Sequence, residues 1–386
     1  MPGIVCTEDG FTGTNMDFST LEGLKSATRL KTSSCFGTEQ VCTDSWVPVL
    51  PGLPDDVSKH CLVLVPRGNF PTMGGVCKKW TSFVGSKEFI TIRKLAGLQE
   101  EWLYVLTKDA EGHEARWDVL DRSGNVRLTL PPMPGPKKTG FGIAVLNGKL
   151  LIVGGVSVVD CNRTVSADVY QYDSCLNRWS KLASMNTPRH DFACAAVNGV
   201  VYVVGGYGAD AEGLSSAEAY NTDSDTWTPI ESLRRPRWGC FACGLEGKLY
   251  VMGGRSTFSI GNSKYVSLYD PETQSWRELR KGCVMVTAHT VLGNKLYCIE
   301  WKNQRKLAVF DPLDESWSSV PVPLTGSSDV RFQFGTLNGK LLLFSLKGEL
   351  CHQTLMYDPD GLAGKEWQTS EINPSGMCLS SVTIEA

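Results

Sequence analysis

Histidine is scarce in this sequence. The five residues His60, His113, His190, His289 and His352 lie far apart, with none of the short spacings that gather metal ligands. There is no HExxH, no nucleophile elbow, and no glycine loop opening a helix to cradle a phosphate. Without those residues neither catalysis, nor a cofactor, nor a metal is expected. Net charge is also low: 38 Lys and Arg against 41 Asp and Glu leave −3 over 386 residues. That balance argues against a protein whose business is nucleic acid or an anionic membrane.

Long apolar runs are missing too. Residues 192–209 carry no charge, but Asn198-Gly199 divides them and Gly205-Gly206 nearly ends them. They read as two strands and a turn, not as a membrane span. Residues 1–10 are polar, with Glu8 and Asp9 where a secretory leader would be basic and then apolar. The expected surroundings are therefore reducing, cytoplasmic or nuclear.

Cysteine, by contrast, is plentiful at fourteen. Cys61, Cys194 and Cys298 sit inside apolar runs, where the residue behaves as a small hydrophobe. The Cys-x-x-Cys pair, Cys240 and Cys243, falls in a strand-like run. Residues three apart in a strand face opposite sides and are not placed to share a metal. Buried structural thiols are expected.

Three regions follow from the patterning. Residues 1–47 are rich in Ser, Thr and Gly and show no period, so a disordered tail is expected. Residues 48–96 read as helix. Leu53-Pro54-Asp55-Asp56 is a start signal, with acids suited to the positive end of a helix dipole. Val57, Cys61, Leu64 and Val65 then recur at helical spacing, a stripe expected to pack inward, and Pro66 ends the helix. Asn69 precedes a second period through Phe70, Met73, Cys77 and Trp80. Leu62, Val63 and Val76 lie off the stripe, which marks either a docking face or a surface packed on the next domain.

From residue 97 the signal is strands. Six apolar runs of similar spelling, at 102–107, 149–155, 200–206, 248–254, 295–301 and 340–346, recur about every 50 residues. Asn147-Gly148, Asn198-Gly199, Glu246-Gly247 and Asn338-Gly339 precede four of them, which marks tight hairpins. Tyr172, Tyr220, Tyr269 and Phe310 each stand seven residues before a tryptophan, at Trp179, Trp227, Trp276 and Trp317. Tyr357 stands ten before Trp367, consistent with an insertion near residues 361–363. Four strands per unit cannot bury both faces alone, so the units must stack around an axis as a β-propeller. The first unit, 102–130, has no leading strand, and residues 378–384 are a strand without a unit. They are expected to supply the innermost strand of the first blade in a six-bladed ring over 97–386.

Two resemblances carry these readings further. The order Leu53-Pro54-Asp55-Asp56, Cys61-Leu62, Val65-Pro66, Asn69-Phe70 and Val76-Cys77-Lys78-Lys79-Trp80 resembles an F-box. Pro71, Gly74 and Gly75 depart from that module by weakening a helix. The Gly-Gly, Tyr and Trp spacing over about residues 100–386 resembles kelch repeats. Together they are similar to the plant set of F-box/kelch-repeat proteins. The fold implied is mixed, a small all-α F-box module followed by an all-β six-bladed kelch β-propeller. The function implied is that of a non-catalytic substrate receptor in an Skp–cullin–F-box ubiquitin ligase. The F-box would then bind an Skp-type adaptor through Leu53, Pro54, Val57, Leu62, Val65, Pro66, Val76, Cys77 and Trp80.

In a propeller the d-to-a and b-to-c loops share one face. Lys138, Arg189, His190, Tyr207, Arg237, Trp238, Arg255 and Arg331 fall there and form the candidate target-binding set, with Lys137 and Lys281 nearby. Arg189 and Arg237 follow prolines at the start of a blade and are equally suited to holding it together. An interaction scaffold outside any ligase is the first alternative. A propeller enzyme, with His190 and His289 as its candidate copper ligands, is a weaker one.

Overall fold

The computed structural model describes residues 48–386, apart from 109–114, 161, 257–262, 264, 280–281, 283–285, 303, 324–331, 346–353 and 363. The expected tail at 1–47 lies outside the described residues, as do His113, His352, Lys281 and Arg331.

Four helices come first: α1 (Asp55–Val63), α2 (Phe70–Gly74), α3 (Lys78–Val84) and α4 (Lys87–Leu95), with a 3-10 turn at Arg67–Asn69. Pro54 is extended, and Asp55 and Asp56 occupy the first turn of α1. Asp55 does not cap; its Oδ1 accepts from the N–H of Val49 at 2.8 Å and folds the preceding segment back. Ser86 does cap α4, accepting from the N–H of Phe89 at 3.2 Å.

Two expectations are corrected here. The α1 stripe faces solvent, with Val57 43% and Leu64 67% exposed and Cys61 exposed, whereas Ser58, Leu62 and Val63 are buried. Both sides of α1 are apolar, so the period located a face without saying which way it turned. The second period is not one helix either. Phe70 and Met73 are buried on α2, the chain leaves helix at 75–77, and α3 restarts with Trp80 half-buried. Gly74 and Gly75 sit at that break, as the last residue and the C-cap of α2, where glycine's weak helix propensity lets the helix end.

Six four-stranded antiparallel sheets follow, each open, arranged as the blades of a propeller. Their innermost strands are Met377–Glu385 (blade 1), Gly142–Leu146, Ala193–Val197, Trp238–Leu245, Val286–Leu292 and Phe332–Leu337 (blade 6). In blade 1, Met377–Glu385 pairs with Glu101–Lys108, Ile384 standing opposite Trp102. A small extra sheet joins Lys138–Thr139 to the hairpin Val156–Val159 and Asn162–Val165 on blade 2.

The middle of the second strand of each blade is an unbroken apolar run because both its faces are covered. Val201 and Val203 pack toward blade 2, while Tyr202 and Val204 pack toward blade 4. Leu249 and Val251 face blade 3, Tyr250 and Met252 blade 5. Six such layers run around the ring, the last joining Leu103, Val105 and Cys378 of blade 1 to Leu337, Leu342 and Phe344 of blade 6.

The aromatic pairs stand directly across the two outer strands in five blades, Tyr357 and Trp367 included. Ring centroids lie 4.9 to 5.2 Å apart throughout. The tryptophan also ties one blade to the last: Trp227 Nε1 donates to Ala183 O at 3.0 Å, and Trp276 Nε1 to Glu231 O at 2.7 Å. At Asn198-Gly199 both φ values are positive, 48° and 80°, as a type I′ hairpin requires.

Two candidate partner-binding surfaces

The helical module has one committed face. Leu62, Val63, Phe70, Met73, Phe83, Val84 and Phe89 form its core, and the propeller completes that core with Cys175 and Ala386. Two buried arginines staple the edges. Arg67 lies over the Trp102 ring at 4.5 Å and donates to Glu100 O at 2.5 Å and Ile384 O at 2.8 Å. Arg93 donates to Val63 O at 2.6 Å, Val65 O at 3.0 Å and Leu98 O at 2.6 Å; burial lowers its guanidinium pKa. Gly74 is as close to the propeller as a residue can be, since a Cβ there would meet Leu176 Cδ2 at 2.5 Å. The contacted residues belong to the a-to-b and c-to-d turns. The module therefore sits on the side of the propeller away from the d-to-a and b-to-c loops.

Its other face is not covered by any of the described residues. Leu53 is 39% exposed, Val76 59%, and Pro54, Cys61, Pro66 and Cys77 are exposed as well. With Val57 and Leu64 they make an apolar surface on a module too small to spare it.

On the far side of the propeller the loops interlock. Arg189 is fully buried, and its guanidinium donates to Gly205 O at 2.9 Å, Ser216 O at 3.0 Å and Glu218 Oε1 at 2.7 Å. Burial lowers its pKa, and Glu218 opposes that shift. Its own carbonyl accepts from Gly155 N in the preceding blade at 2.9 Å. Arg237 repeats the device one blade on. It donates to Val251 O at 3.1 Å and Tyr265 O at 2.7 Å, and its carbonyl accepts from Gly206 N at 2.8 Å. The diglycine is thus the seat of the next blade: a Cβ on Gly205 would stand 2.2 Å from Arg237 O. Between these anchors, His190 stacks on Tyr207 at 5.4 Å and Tyr207 lies against Trp238 at 4.9 Å.

The model described as KLHDC2/KLHL20/DRC7 Kelch-repeats domain matches residues 140–348. F-box/kelch-repeat protein At1g67480 of Arabidopsis thaliana is 59% identical over 339 residues, 88% of this chain and 90% of that protein. The chain belongs to the F-box/kelch-repeat family. Putative F-box/kelch-repeat protein At1g27420 of the same plant is 43% identical over 356 residues, 89% of this chain and 99% of that protein.

Within the F-box, Leu53, Pro54, Val57, Pro66, Val76 and Cys77 are exposed. Leu62 is corrected: it is 4% exposed and belongs to the core. Val65 and Trp80 are partly buried against that core, and the Trp80 indole donates to Val49 O at 2.9 Å. On the kelch propeller three candidates are corrected. Arg189 and Arg237 hold blades together. Lys138 is buried, donating to Ser166 Oγ at 2.8 Å and pairing with Asp168, whose carboxyl Lys181, Ser166 and Lys138 keep below the usual range. His190 is 2% exposed but its ring forms one end of the aromatic run. Tyr207 and Trp238 are half-buried, and Arg255 is exposed. Arg331 lies outside the described residues.

Sequence reasoning missed Arg67 and Arg93, whose partners are mostly carbonyls that any residue offers. It also passed over Arg163, which the blade 2 hairpin swings to His190. The one available signal was its place in a b-to-c loop.

Proposed function

We propose that the chain is the substrate-recruiting subunit of an Skp–cullin–F-box ubiquitin ligase. The uncovered F-box face takes the Skp-type adaptor, and the opposite face of the propeller presents a target protein. No residue of this chain performs the transfer. Its contribution is proximity, a held target meeting a high local concentration of charged ubiquitin-conjugating enzyme.

One observation carries the reading. The F-box helices have one face built into the propeller through Cys175 and Ala386, and the other, apolar face is left open by the described residues. The second face takes no part in the described core, so a partner is the economical account of it. The test is capture of a purified Skp-type adaptor by the full chain, repeated with Leu53→Ala and Pro54→Ala combined. Failure of the unaltered chain to hold the adaptor removes the ligase reading and leaves an interaction scaffold.

A further inference from the structure

Five side chains form one line on the loop face of the propeller. Arg163, on the blade 2 hairpin, meets His190 Nε2 at 2.5 Å. The run continues through the His190, Tyr207 and Trp238 rings. Trp238 stands directly across its strand pair from Arg255. Trp238 is held in place by Gly213, where a Cβ would come within 2.7 Å of the indole. Beside it, Trp238, Phe241, Val286 and Arg255 line a cavity of about 250 Å³ with three glycines in its wall.

The two cations of this line stand without an ionic partner among the described residues. His190 Nδ1 donates to Asp191 Oδ2 at 2.9 Å, which leaves Nε2 as the acceptor for Arg163. A neutral imidazole does not compensate a guanidinium. Arg163 and Arg255 are both exposed, and neither pairs with a carboxylate among the described residues. Asp191 accepts from His190 and Asp210 from the N–H of Glu212 at 3.0 Å; both keep their charge, but neither forms an ion pair with Arg163 or Arg255. A cation at each end of a run of rings, with a small cavity at one side walled by Trp238, Phe241 and Val286, matches a partner of opposite layout.

We propose, resting on the receptor reading above, that this line recognises an extended, acid-flanked segment of the target. An apolar or aromatic side chain of the segment fills the cavity between Trp238 and Phe241. Carboxylates on either side of it pair with Arg255 and Arg163. Ring steps near 5 Å make the line about as long as three to five extended residues, so a short linear segment suffices.

The full chain is titrated, by fluorescence anisotropy, with labelled short peptides that carry one Phe with Glu at varied spacing on either side. The same peptides with Gln for Glu are the control. The best acidic peptide is expected to bind about tenfold or more tighter than its Gln counterpart, because each charge-assisted pair is lost in the control. That preference should shrink as salt rises from about 50 to about 500 mM. Arg163→Gln and Arg255→Gln should each remove about fivefold or more of it, with melting temperature unchanged since both residues are exposed. Equal affinity for the two peptide sets, no binding by either, or a full preference surviving in both variants overturns the proposal. Adaptor capture by the unaltered chain separates the two levels. Intact capture with no acidic preference removes only the acid-flanked segment, whereas loss of capture removes the receptor reading beneath it.

Discussion

Glu100 and Ala386 exchange two backbone hydrogen bonds, Glu100 N to Ala386 O at 2.9 Å and Ala386 N to Glu100 O at 3.2 Å. The pair closes the end of blade 1, and Ala386 at the same time fills the F-box core. Closing the propeller and completing the F-box are therefore one event at one residue.

Truncation after Asn373 should accordingly damage both parts. It removes the inner strand of blade 1 together with the buried Cys378, Ile384 and Ala386. The loss is on the order of 5 kcal/mol or more, comparable with the whole stability of a domain. Calorimetry and adaptor capture should fail together. A truncated chain that melts like the intact one shows that the closing strand is dispensable.

Arg189→Ala leaves Glu218 buried with its charge uncompensated by a cation. Glu218 keeps the N–H of Asn186 at 2.7 Å and of Thr187 at 3.1 Å, so the cost should fall at the low end for a broken buried pair, about 3 kcal/mol. Arg163→Ala, on an exposed residue, should cost within about 0.5 kcal/mol. Denaturant titration of the two variants distinguishes them. Equal midpoints would mean that Arg189 is not a structural residue.

The propeller was legible because its signals are local and repeated. A tyrosine seven residues before a tryptophan, or an Asn-Gly before an apolar run, specifies a turn and a strand register within one blade. Even the ten-residue gap from Tyr357 to Trp367 resolved correctly, since an insertion in a loop leaves the register intact. Direction was harder. α1 is apolar on both sides, and the packing of Phe70, Phe83 and Phe89 from later helices, completed by Cys175 and Ala386 more than a hundred residues away in sequence, decides that Leu62 turns in and Val57 turns out. The loop-face arginines failed for a related reason. Lys138, Arg189 and Arg237 look alike to Arg163 and Arg255 in sequence. What separates them is whether neighbouring segments supply acceptors: carbonyls and a carboxylate for Arg189, carbonyls and hydroxyls for Arg237, a hydroxyl and a carboxylate for Lys138.

Acid should weaken the fold through His289. Its ring, partly buried, stacks on Phe241 at 4.2 Å between blades 4 and 5, and the desolvation there pulls its pKa down to about 4. An unfolded histidine titrates near 6.5, so between those values the unfolded chain binds more protons than the folded one. Stability is then full above about pH 6.5 and falls as pH drops toward 4, by on the order of 1–3 kcal/mol from this group. His289→Gln removes the proton and should flatten that part of the acid limb. Melting curves between pH 7 and pH 4 that keep the same slope in the variant would assign the acid sensitivity elsewhere.

The two faces of α1 make opposite predictions from adjacent positions. Val57 and Leu64 are open to solvent, so Val57→Asp and Leu64→Asp should change stability by no more than about 0.5 kcal/mol. Each places an unpaired charge in the centre of the proposed adaptor contact, and capture of a purified Skp-type adaptor should be lost. Leu62→Ala should do the reverse at first sight, costing about 2–5 kcal/mol by opening a cavity beside Phe70 and Phe89. Capture by that variant should recover on cooling below its lowered melting temperature, because the docking residues are untouched. Full capture by Val57→Asp, measured at equal folded fraction, would move the adaptor off this face altogether.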